Sequence, residues 1–98
     1  MEEKIKSIAS FAINHFGEEK QLLKVQEELI ELSLALIHHK RYNNEKSYNA
    51  VIDEVADVAI MLEQLKVIFP IDKINDRIEF KISRLKKRIE SLNNLNEL

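Results

Sequence analysis

Apolar positions along this chain recur at intervals of three and four, the spacing that lines side chains along one face of an α-helix. From about Glu2 to Phe16 the series is Ile5, Ile8, Ala9, Ala12, Ile13 and Phe16, and Gly17 comes next as a helix C-cap. A second helix is expected over 18–39. One stripe on it consists of Leu22, Val25, Leu29, Leu32 and Leu36; another, roughly opposite, consists of Leu23, Ile30, Leu34 and Ile37. A helix with two apolar faces packs against neighbours on both sides, and in a chain of 98 residues the second neighbour can be another subunit. The polar run HKRYNNEKSYN reads as a loop, with Asn44 or Ser47 available to cap the next helix. That third helix is expected over 47–69, stopping at Pro70. The fourth, over 72–93 with Asp72 as its N-cap, carries Ile71, Ile74, Ile78, Ile82, Leu85, Ile89, Leu92 and Leu95. That narrow seam suits one partner helix or the zipping of two subunits. The tail NNLNEL is expected to fray.

Composition narrows the fold class. With 45% hydrophobic residues but one Gly and one Pro, the chain has too few turn formers for a β protein. An all-α, four-helix bundle-like fold is the result, expected as a single domain over 1–98. Cysteine is absent, which removes disulfides, thiolate catalysis and thiolate zinc sites together. A formal charge of −2 supplies no field that would recruit nucleic acid or an anionic membrane. No apolar run reaches the ~20 residues of a membrane span. The N-terminus MEEKIKSIAS is charged and amphipathic rather than a signal sequence. A cytoplasmic protein is the expectation.

One stretch breaks the apolar rule. In VIDEVADVAIML, Asp57 sits among Val55, Ala56, Val58, Ala59 and Ile60. A carboxylate taken from water costs several kcal/mol unless it is compensated, so Asp57 either faces solvent or has a partner. The second helix supplies a candidate in EELIE: Glu27, Glu28 and Glu31 occupy its one sector that is not apolar. Glu28 and Glu31 lie three apart and can aim at one point, and Glu54 and Asp57 repeat that offset. On antiparallel neighbouring helices the two pairs would face each other. Clustered glutamates ordinarily form a solvated face with i,i+4 partners, here Lys24 and Glu28. Two facing pairs are a different matter: four converging carboxylates repel, and a divalent cation reverses that sign. An all-oxygen set suits Mg²⁺, with Mn²⁺ also possible, rather than zinc or copper. A di-iron bundle would need Glu-x-x-His on two helices, and no histidine here has Glu three residues before it.

At these residues the chain resembles the MazG-like all-α nucleoside triphosphate pyrophosphatases. The family's E-E-x-x-E and E-x-x-D motifs stand here as Glu27-Glu28-x-x-Glu31 and, after twenty-two intervening residues, Glu54-x-x-Asp57. The run HFGEEKQLLKVQEELIELSLAL looks like the first motif with its lead-in, and the likeness spans about residues 5 to 90. The resemblance implies a Mg²⁺-dependent enzyme that cuts a (deoxy)nucleoside triphosphate between its α- and β-phosphates, releasing the monophosphate and pyrophosphate. It also implies Glu28, Glu31, Glu54 and Asp57 as metal ligands, with Glu27 or Glu31 free to orient water or take a proton. Phosphate-contacting side chains would come from KISRLKKR, with Lys81, Arg84 and Arg88 as candidates; Leu85 stands where some relatives carry Asn. Members are homodimers or dimers of dimers.

Gln21 shares the wheel sector of the glutamates, and both it and His15, at the end of the first helix, are candidates for substrate contact. His38 and His39 diverge by about 100° on a helix and suit its negative C-terminal end better than a shared metal. Tyr42 and Tyr48 fit the surface, and Phe11, Phe69 and Phe80 a core or an interface. Two other functions are compatible with the chain. One is phosphoribosyl-ATP pyrophosphohydrolase, although KVQEELIEL departs from the K-x-G-E-E lead-in of that branch. The other is a non-catalytic helical interaction protein that uses the fourth helix's seam.

Overall fold

The computed structural model describes residues 1–97, with side chains through Asn93. It is all-α: four helices and, among the described residues, no strand. They are α1 (Glu2–Phe16), α2 (Glu18–Tyr42), α3 (Glu45–Ile68) and α4 (Ile71–Glu97). The chain divides into two compact units, one holding α1–α3 and the other beginning at Phe69 and holding α4.

In the first unit, α2 and α3 form an antiparallel hairpin, and α1 packs mainly on α3 and less on α2. Cross-helix partners show the direction. His39 of α2 meets Ser47 of α3 near the corner, and Gln21 meets Gln64 at the far end. The buried apolar side chains are Ala9, Val25, Val58 and Met61, accompanied by buried Gln21, Glu28, Ser47 and Gln64. Polar groups are thus interleaved with the core. Of the two α2 stripes, Val25 is buried and Leu22 and Leu32 are half-buried, whereas Leu23, Ile30, Leu34 and Ile37 are all exposed by 60% or more. Phe11, Phe69 and Phe80, expected in a core or interface, are exposed on the chain.

The α2–α3 corner is tighter than the polar composition suggests. The expected loop of HKRYNNEKSYN shrinks to Asn43 and Asn44, because α2 runs on to Tyr42 and α3 starts at Glu45. Asn43 takes the left-handed conformation (φ 43°, ψ 57°), which asparagine tolerates better than most residues, and its N–H donates to the His39 carbonyl. Asn44 caps α3: its Oδ1 accepts from the Ser47 N–H (2.8 Å), while Ser47 Oγ accepts from the Asn44 N–H (3.1 Å). That reciprocal pair satisfies two donors that the helix leaves open. Both residues expected as candidate caps therefore act together.

Gly17 ends α1 and opens α2 at φ 94°, ψ 150°, a backbone region that β-carbon-bearing residues rarely enter. Its N–H donates to the Ile13 carbonyl at 2.9 Å.

In the second unit, α4 begins one residue before the expected Asp72 cap. The Pro70 carbonyl accepts from the Ile74 N–H, and Asp72 falls in the first turn, where its charge meets the helix's positive end. The helix continues through Glu97, beyond the expected end at 93 and into the tail. Ile71, Ile78, Ile82, Leu85, Ile89 and Leu92 lie exposed along its seam, and Arg77 and Arg84 lie over the Phe80 ring. No helix among the described residues is long and apolar enough to cross a membrane.

Candidate metal centre

The packed line of α2 runs through Gln21, Val25, Glu28, Leu32, Ala35 and His39, and that of α3 through Ser47, Val51, Glu54, Val58 and Met61. Each line carries a glutamate at mid-length, where a three-or-four spacing keeps it facing the neighbouring helix. The antiparallel hairpin then brings those two positions opposite one another.

Glu28, Glu54 and Asp57 each offer a carboxylate oxygen, and these oxygens lie within 4.8 Å of one another. Glu28 is buried, Glu54 half-buried and Asp57 exposed. Asp57 thus meets the first term of the alternative posed by its apolar surroundings, since it reaches solvent, and its near neighbours Glu28 and Glu54 add repulsion rather than compensation. Two oxygens, Glu28 Oε2 and Glu54 Oε2, are buried with no hydrogen-bond donor. A buried acceptor without a donor is costly, and a carboxylate oxygen more so.

Like charge and burial act on the same groups. The Glu54 carboxyl is held above the ordinary carboxylate range, first by desolvation and then by the charges of Glu31, Glu28 and Asp57. Glu31 is also pushed up, chiefly by the Glu28 charge and next by desolvation. Glu31 therefore stands beside the three-carboxylate group and feels it, without contributing to the set of close oxygens. Lys24 is the counterweight. Its Nζ lies 3.1 Å from Glu28 Oε1 and 3.8 Å from Glu27 Oε2, and the Glu28 contact is the main reason its own pKa rises.

The group could hold a cation, and its donor chemistry is that of a hard divalent ion. All are carboxylate oxygens from two packed helices, and Glu28 Oε2 and Glu54 Oε2 have no hydrogen-bond partner. On one octahedral Mg²⁺, neighbouring ligand oxygens lie about 3 Å apart and opposite ones about 4.2 Å, so the three carboxylates would have to draw together to share one ion.

The remaining sequence-derived candidates fall in three places. Glu27 is exposed on α2, one position from the cluster, and with Lys24, Gln21, Gln64, Ala12, Phe16 and Met61 it lines a cavity of about 540 Å³ in the first unit. Gln21 is buried there, its Nε2 donating to Gln64 Oε1 at 2.6 Å. His15 is exposed at the end of α1, stacked on Phe11 with ring centroids 5.9 Å apart and edge-on to Phe16. Lys81, Arg84 and Arg88 are exposed on α4, in the second unit. His38 packs on Tyr42, and His39 donates through Nδ1 to Ser47 Oγ at 2.7 Å, since the Ser47 hydroxyl proton goes to the Asn44 carbonyl. The two histidines share no ligand position.

Two residues of this region were not singled out by the sequence as part of a site. Gln64 carried no signal, because a lone glutamine near the end of α3 looks like any surface residue. Lys24 was legible only as a surface partner of Glu28; what changes its meaning is the burial of Glu28, which spacing alone does not show. Compared with known proteins, the chain matches no family model, no curated protein and no solved structure.

Proposed function

We propose that this protein is a Mg²⁺-dependent nucleoside triphosphate pyrophosphohydrolase of the MazG-like all-α type. It would convert a (d)NTP to the monophosphate and pyrophosphate in the service of nucleotide-pool housecleaning, acting as a homo-oligomer. The observation that carries the reading is the convergence of Glu28, Glu54 and Asp57 from two helices, with two buried oxygens left without a donor. Those residues belong to the two motifs on which the family resemblance rests.

Glu28, Glu54 and Asp57 would hold the metal, with Glu31 adjacent as a fourth carboxylate. When bound, Mg²⁺ supplies charge neutralisation for the phosphate oxygens and lowers the pKa of water. The chain's own groups do the rest. Glu31 already holds its proton more tightly than a free glutamate, so it is suited to receive one from an attacking water. Glu27, exposed beside the cluster, is suited to orient that water. Lys81, Arg84 and Arg88 are the proposed phosphate contacts of α4. Hydrolysis of a phosphoanhydride needs alignment and charge stabilisation more than covalent help, and those are the roles proposed for these groups.

The test is pyrophosphate release from a panel of canonical, deoxy and damaged-base nucleoside triphosphates with Mg²⁺. Stoichiometric monophosphate and pyrophosphate are expected from at least one member. Silence across the panel, with a stable oligomer in solution, would favour the helical interaction protein instead, a reading for which the exposed α2 stripe speaks.

A further inference from the structure

The formal charge of −2 on the whole chain hides how α4 sorts its charges. At about 100° per residue, Lys73, Arg77, Lys81, Arg84, Lys87 and Arg88 fall within about 120° of the helix's circumference and span about 22 Å of its length. All six are exposed, and of the lysines and arginines on α4 only Lys86 lies outside this sector. The acids Asp72, Asp76, Glu79 and Glu90 gather in the neighbouring sector, and the apolar seam takes most of the rest. A solvated helix face ordinarily interleaves opposite signs one turn apart. Here Arg77 has Lys73 and Lys81 one turn away on either side, and Arg84 has Lys81, Lys87 and Arg88. Among the described residues, no α4 cation is ion-paired. At the centre of this face, opposite the seam, stands Phe80. It is 52% exposed, with the guanidinium carbons of Arg77 and Arg84 4.6 and 6.0 Å from its ring centre. At its N-terminal end the face borders a cavity of about 450 Å³, lined by Lys73, Arg77 and Lys81 and by Phe69.

We propose that this face of α4 binds single-stranded nucleic acid: the cations follow the phosphate backbone, while Phe80 and its flanking guanidinium groups stack bases. A bound polyanion relieves the repulsion between like charges held one turn apart, and every base offers a π-face whatever the sequence. A lipid surface is a poorer fit. A helix lying on lipid buries its apolar half, which would leave Phe80 and Arg77 turned to water. The seam stays available to another helix while the opposite half holds a strand. Lys73, Arg77, Lys87 and Phe80 have no part in the proposed nucleotide site, so the inference does not rest on the pyrophosphohydrolase reading.

The experiment uses the full chain and a fluorescein-labelled oligothymidylate, followed by anisotropy in EDTA so that no metal-held site contributes. Affinity is expected to fall linearly with salt on logarithmic axes, as counterion release requires. The double variant Lys73→Gln, Arg77→Gln, its helicity checked by circular dichroism, should bind about tenfold more weakly and lower the slope by about 0.7 for each lost phosphate contact. Phe80→Ala should weaken binding about tenfold and leave the slope unchanged, because stacking carries no net charge. Annealed to oligoadenylate, the strand should bind less tightly, its bases being already stacked on one another. No binding of the single strand at low salt overturns the proposal, and so does a folded double variant that binds like wild type. A Phe80→Ala without effect, or a duplex bound as tightly as the strand, overturns it too, since bases then play no part. Cosedimentation with phosphatidylserine vesicles while the oligonucleotide stays unbound would assign the face to lipid instead.

Discussion

Replacing Glu54 with glutamine keeps the side chain's shape, removes its charge and offers N–H donors to the carboxylates around it. Without metal, the variant is therefore expected to melt at a higher temperature than wild type, because a half-buried acid beside Glu28, Glu31 and Asp57 opposes folding when ionised. With Mg²⁺ the order should reverse: wild type is stabilised by binding and Glu54→Gln is not. Pyrophosphate release should fall by at least about 100-fold, since even the outer partners of a metal site are worth 10–100-fold. Near-wild-type turnover at saturating Mg²⁺ would remove Glu54 from the ligand set. Acidity reads out the same electrostatics. Glu31 and Glu54 have folded pKa values raised above their unfolded ones, so the folded state binds their protons more tightly. Their contribution to stability is fully present below the ordinary glutamate range and is lost as pH rises through the raised folded values. Melting scans without divalent ions should therefore show this contribution declining from mildly acidic pH to neutrality. Added Mg²⁺ should offset the decline by favouring the ionised carboxylates, and identical pH profiles with and without the ion would contradict a cation site here.

At the scale of elements, the α2–α3 hairpin does the positioning, and its corner is held by few atoms. Ser47 is 2% exposed, and its hydroxyl serves Asn44 twice and His39 once. Ser47→Ala is expected to cost about 1–2 kcal/mol, the usual loss for a helix cap, and thermal unfolding in the absence of metal measures it. An unchanged Tm would mean that water replaces all three contacts. How much of this hairpin can be read from the chain depends on the kind of signal. The four helices come from the three-and-four spacing of apolar residues, and the stop at Pro70 from backbone chemistry. The corner is harder, because HKRYNNEKSYN is polar throughout and a solvated helix end has the composition of a loop. The acid pairs are legible because their offset within each helix is local. That Glu31 stands beside the close group rather than within it depends on side-chain placement across the interface, which spacing does not determine.

For the molecule as a whole, the unbalanced feature is the outer face of α2. Leu23, Ile30, Leu34 and Ile37 form an apolar stripe facing away from a unit whose buried apolar side chains number only Ala9, Val25, Val58 and Met61. Contiguous apolar surface of this kind ordinarily marks an association surface. Leu34→Glu is therefore expected to lower the molecular mass seen by light scattering after size exclusion while leaving the helical spectrum intact. An unchanged mass would place any self-association elsewhere, with α4's seam the next surface to mutate. The stripe also shows why sequence goes only part of the way: it predicts a helix with two apolar faces, but not which face the chain covers by itself.

The short corner has a last consequence, concerning length rather than charge. From Ser47, Glu54 lies about two helical turns away, and on the other arm Glu28 lies about three turns from His39. Both acids are thus in phase with a fixed origin, like marks counted along two rulers clamped at zero. One residue inserted between Ser47 and Glu54 would advance the second mark by about 1.5 Å and swing it by about 100°, leaving the clamp intact and the marks misaligned. Tolerance to insertion should therefore differ sharply between this segment and the same helix beyond Gln64.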